Sequence, residues 1–143
     1  MNNDELSLKA TYLQMIQSSI ERMATTSAVF KGFCATIIAG ISAISFSEIN
    51  KWVLLLSISP VICFFLLDVY YLQLEKRFRA LYNMVRTDQH VIDFDLMPPK
   101  AKELRYKDVG ILYCLKSPSI YLFYAPAAAI SVAVLCMKFK GVM

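Results

Sequence analysis

Histidine is nearly absent from this 143-residue chain: His90 stands alone, so a multi-histidine metal site is excluded. Glycine (four) and proline (five) are also sparse. The chain has no P-loop, no G-x-G-x-x-G and no G-x-S-x-G, the glycine-dependent turns that cradle phosphates or present a nucleophile. No catalytic residue set, cofactor or metal is therefore expected. Asp93 and Asp95 are close neighbours, but two carboxylates alone make neither a metal site nor an acid/base pair. Arg86 and His90 are read as a solvated helix end. The four cysteines, Cys34, Cys63, Cys114 and Cys136, are far apart with no C-x-x-C, which excludes a zinc knuckle and gives no disulfide framework. An uninterrupted early apolar core is missing too, so MNNDELS does not open a signal peptide.

Charge is scarce as well. Charged residues make up 18% of the chain against 57% hydrophobic, with a mean hydropathy of +0.50, too apolar for a soluble domain of this size. The reading is an all-α integral membrane protein with three spans, expected to form one compact unit. Residues 52–74 are long enough to cross a bilayer and carry one charge, Asp68. Beyond them the apolar residues thin to a stripe at Leu74, Phe78, Leu81 and Val85, the helical period, while Glu75, Arg79, Tyr82 and Arg86 lie opposite. The spacing predicts one helix that leaves the membrane and continues as a cytosolic stalk over residues 75–90.

Residues 1–23 read as an amphipathic cytosolic helix with Leu6, Leu13, Ile16, Ile20 and Met23 on one face. That face packs against the stalk or a neighbouring subunit, or lies on the membrane surface. Residues 24–46 form the first span. Ala28, Gly32, Thr36 and Gly40 recur at every fourth position along it, a face that lets another helix approach closely, within the chain or between subunits; Gly32 and Gly40 are the candidate packing residues. A short connection at Ser47–Lys51 makes the first two spans a hairpin. Lys31 and Asp68 then lie at nearly the same depth, roughly 10 Å inside the bilayer at ~1.5 Å per residue. They are read as an intramembrane charge pair, with snorkelling of Lys31 or a pore-lining role as alternatives. Residues 119–138 form the third span, with Pro126 expected to bend it.

Basic residues set the orientation. Residues 1–23 and 75–118 carry eleven (Lys9, Arg22, Lys76, Arg77, Arg79, Arg86, Lys100, Lys102, Arg105, Lys107, Lys116) against Lys51, Lys138 and Lys140 on the other side. That bias places the amino terminus and the basic loop 91–118 in the cytosol and the carboxyl terminus outside. Anionic headgroups account for such a surface. An anionic ligand is the sharper alternative, held by Arg79, Arg86, Lys76, Lys100, Lys102 and Arg105, because arginines on one helix face can grip phosphates bidentately.

The run LLDVYYLQLEKRFRALYNMVR (66–86), followed by SPSIYLFY (117–124), resembles a group of small three-span bacterial proteins. The most specific similarity is to the membrane effector of nucleotidyltransferase-linked, Hailong-type anti-phage defence systems. The resemblance implies a homo-oligomeric, tetrameric ion channel of the bacterial inner membrane. It also implies a shut state held by a nucleotide or short single-stranded oligodeoxyadenylate made by a partner nucleotidyltransferase. The residues alone stop at a small oligomeric three-span protein with a basic cytosolic region, so a non-conducting anchor or scaffold for a cytosolic partner is the competing expectation.

Overall fold

The computed structural model describes residues 3–44, 58–100 and 109–139. Helices are the only regular elements among them: α1 (Asn3–Ile44), α2 (Ile58–Arg86), the short α3 (Ile111–Leu115) and α4 (Pro118–Phe139). Three of these, α1, α2 and α4, contain apolar stretches long enough to cross a membrane. The Ser47–Lys51 turn, the start of the second span at 52–57, and Lys102, Arg105 and Lys107 lie outside the described residues.

Two differences from the sequence reading concern helix ends. The amphipathic segment and the first span are one uninterrupted helix of 42 residues, opened by Asp4 and Glu5, whose charges suit the amino-terminal dipole. Its only breakers, Gly32 and Gly40, lie in the apolar half, so nothing stops it at Met23. The stalk, in contrast, ends at Arg86 and not at His90. Asp88 takes a left-handed φ of 56°. Its N–H donates to the Val85 carbonyl at 3.3 Å, and the Gln89 N–H donates to the Met84 carbonyl at 2.9 Å. This is a Schellman stop with aspartate in the place glycine usually fills.

The chain divides into two compact units, Met1–Thr26 with Tyr70–Cys114, and Ser27–Val69 with Leu115–Met143, where composition suggested one. The first unit has a core of its own. Tyr12, Ile16, Ile20 and Met23 of α1 meet Phe78, Leu81 and Val85 of α2, with Leu74, Tyr82, Ile92 and Leu96 packed around them. Ile16, Leu81 and Val85 are almost completely buried, each worth about 1.5–3 kcal/mol relative to exposure in water. That self-contained core is why this region separates as a unit.

The second unit brings together the apolar halves of α1 and α2 with α4. Phe64 lies 5.9 Å from Phe30 and 6.2 Å from Phe33 between ring centroids, and Phe65 meets Tyr124 edge-on at 5.2 Å. Helix α4 runs through Pro126 without interruption. Burial is low throughout: no more than 22% of any of the three apolar windows is buried within the chain.

Candidate functional site

In the second unit the buried polar atoms converge. Asp68 on α2 is fully buried. Ser27 Oγ donates to its Oδ1. Lys31 Nζ, one turn further along α1, lies 2.7 Å from Asp68 Oδ2 and donates to Ser27 Oγ at 2.8 Å. A carboxylate in this setting needs a cation, since an unpaired charge inside a span is expensive. Position i and i+4 on α1 place the hydroxyl and the ammonium on one face, so both reach the same carboxylate. The third helix contributes Tyr124, whose buried hydroxyl has Asp68 and Cys34 as electrostatic neighbours. Neither that hydroxyl nor Asp68 Oδ2 has a hydrogen bond of good geometry; the contact from Lys31 to Oδ2 is ionic. Chemically this centre neutralises a charge and ties helices together.

Gly32 and Gly40 leave open space beside α1 among the described residues. A Cβ built on either would find no atom within 4 Å, and Ala28, Gly32, Thr36 and Gly40 are all exposed. Packing of this face against another span of the same chain, one of the two sequence expectations, is therefore not found among the described residues.

The first unit holds the basic residues, and its folding uses several of them. Arg79 remains 61% exposed in its side chain but is paired with buried Glu75 at 2.5 Å, one turn back. Lys76 sits over the Tyr113 ring, 4.4 Å from its centroid, a cation–π contact. Arg86 and Lys100 are exposed. Arg79 and Arg86 are seven residues apart, so their Cα atoms lie about 10 Å apart along one helix face.

Three other residues shape this surface, and sequence reasoning gave them no part in its bonding. Arg77 donates from Nε to the Pro99 carbonyl and from Nη2 to the Pro98 carbonyl, each at 2.9 Å. Lys9 reaches the Arg86 carbonyl at 3.2 Å and Asp88 Oδ1 at 2.6 Å, capping the end of α2. Tyr12, completely buried, donates its hydroxyl to the Asp95 carbonyl at 2.5 Å and lies 3.3 Å from Asp93 Oδ1. Burial, then the carboxylates of Asp93 and Asp95, push the Tyr12 hydroxyl up to about 12. Asp93 is held below its usual range, chiefly by the Asp95 N–H that donates to it at 3.0 Å. Gln73 adds a further tie to the Val109 carbonyl at 3.2 Å. Burial raises the Cys114 thiol, opposed by Lys76, so this cysteine is a small apolar side chain and not a nucleophile.

No protein-family model matches the chain, and no match is found among curated proteins or solved structures.

Proposed function

We propose that the chain is one subunit of a homo-oligomeric, tetrameric channel or membrane-permeabilising effector of bacterial anti-phage defence, gated by an anionic nucleotide or short oligonucleotide at a basic cytosolic mouth. The observation that carries this reading is the open face of α1. Ala28, Gly32, Thr36 and Gly40 are exposed, with nothing packed on either glycine. Small residues in a span permit close backbone approach, and lipid tails gain little from such a face compared with another helix. Three spans per chain are too few to enclose a water-filled path. Conduction then requires several copies around an axis.

Within each subunit the charges of Lys31 and Asp68 satisfy each other, which favours a structural centre over a pore lining. The pore wall is left to apolar and small residues, and control passes to the stalk. Arg79 and Arg86, exposed on one face of α2, repeat around the axis as two rings of guanidinium groups. Such rings attract a polyanion and hold it where it blocks cations. In this reading the amino terminus and first unit face the cytosol of the inner membrane. A partner nucleotidyltransferase supplies the ligand.

Subunit number in lipid discs, measured by native mass spectrometry, tests the assembly. A defined oligomer, with four copies expected, supports the channel. A monomer under mild conditions removes it and leaves a membrane anchor that recruits a cytosolic partner.

A further inference from the structure

Several basic side chains are paired with carboxylates, Lys9 with Asp88, Lys31 with Asp68 and Arg79 with Glu75. Arg77 instead donates to two neutral acceptors, the successive carbonyls of Pro98 and Pro99, both at 2.9 Å. Nε and Nη2 form one edge of the guanidinium fork, two parallel donors that match two oxygens of a single phosphoryl or carboxylate group. The two carbonyls occupy the places an anion's oxygens would take.

The segment that supplies those carbonyls is fastened as a strap. It starts at Asp88, whose backbone is left-handed, and passes Phe94, also left-handed at φ 58°. Non-glycine residues in that region are held there by their surroundings. Lys9 fixes Asp88, and Tyr12 fixes the Asp95 carbonyl while its ring packs on Phe94 at 5.5 Å. The Asp95 and Met97 N–H groups bond to the carboxylates two residues earlier, each at 3.0 Å, so the turn has its own local bonds. Fastening from α1 acts on the front of the strap; Arg77 grips its end.

We infer that Arg77 is an anion-docking residue for phosphoryl groups, occupied in this state by the Pro98–Pro99 strap, and that a phosphoryl anion displaces the strap from it. A phosphoryl anion adds an attraction between opposite charges that a neutral carbonyl lacks, so exchange is favoured once a phosphate reaches the fork. Freed from Arg77, Pro98 and Pro99 release the chain that leads into Lys100. The inference rests on reading the first unit as the ligand-receiving part and adds the residue and the movement. It does not depend on whether the protein conducts.

The test is hydrogen–deuterium exchange of the full-length protein in discs of zwitterionic lipid, titrated with inorganic tripolyphosphate. Exchange at the Asp95, Leu96, Met97 and Lys100 amides is expected to rise at least fivefold with the probe, with trypsin cleaving faster after Lys100. Discs containing anionic phosphatidylglycerol, without the probe, distinguish the source: opening there assigns the phosphoryl group to lipid headgroups, and opening only with tripolyphosphate assigns it to a soluble ligand. Either supports Arg77 as the dock. In Arg77→Lys the charge stays but one ammonium does not bridge two acceptors in fixed geometry, so the probe response should fall at least fivefold; Arg77→Gln should abolish it. A strap unmoved in both lipids, or a Lys variant responding like the parent, overturns the inference. Binding of the probe through Arg79 and Arg86 with a closed strap also overturns it, while leaving anionic gating intact.

Discussion

Removing Lys31 should cost more than removing Asp68, and the reason is the difference in their exposure. The Lys31 side chain is 19% exposed, whereas Asp68 is completely enclosed. Lys31→Met leaves a carboxylate with Ser27 as its only good hydrogen-bond donor and no cation, in a place water does not reach. Breaking a buried pair from one side costs about 3–5 kcal/mol. Asp68→Asn removes the negative charge but keeps an acceptor for Ser27, and the long lysine stem lets its ammonium turn toward the headgroups. That change should cost about 1–3 kcal/mol, the range for a perturbed buried hydrogen bond. Replacing both, Lys31→Met with Asp68→Leu, removes the desolvation cost together with the attraction. Ser27 then returns its hydroxyl to the carbonyl one turn earlier in α1. The double variant should be less destabilised than Lys31→Met alone. Unfolding by sodium dodecyl sulfate in mixed micelles, followed by far-ultraviolet circular dichroism, gives all four stabilities. Equal costs for the two single changes, with the double variant destabilised more than Lys31→Met alone, would refute the argument.

The first unit and the open face of α1 give three further expectations. Tyr12 has a folded value near 12 against an ordinary 10.0. The folded state therefore holds that proton more tightly, and the stabilisation, complete below pH 10, is lost as pH rises toward 12. Tyr12→Phe should remove this alkaline transition from a pH titration of thermal stability. Lys9→Ala should fray the end of α2, costing about 1 kcal/mol, the usual scale of a capping interaction, seen as faster amide exchange at Thr87–Gln89. Gly32→Leu or Gly40→Leu should leave the secondary structure of the subunit unchanged, because nothing lies within 4 Å, but should reduce the oligomer fraction in native mass spectrometry.

Periodic apolar patterns were the most legible part of this chain. Leu74, Phe78, Leu81 and Val85 follow the helical repeat, and they pack into the first unit's core, facing Ile16, Ile20 and Met23. Depth counting brings Lys31 and Asp68 to one level of the hairpin, and the structure places their charged atoms in contact. Other features left no local signal. The stop at Arg86 uses Asp88 in a left-handed conformation, where glycine would have marked the end. Tyr12 gives no local signal, because its acceptor is a carbonyl 83 residues away. Arg77 counted only as one more positive charge, since backbone carbonyls have no sequence signature. Lys76 needed the position of Tyr113, which no spacing rule supplies. Separation into two units followed from the stalk core being large enough to stand by itself, which total composition averages away.

Membrane potential tests the central claim most directly. Cells expressing Arg79→Glu or Arg86→Glu should depolarise more than cells expressing the parent protein at equal abundance, because each change removes a ring of positive charge that holds the blocking anion and leaves the pore intact. Potential unchanged from the parent in both variants would contradict a channel plugged at its basic mouth.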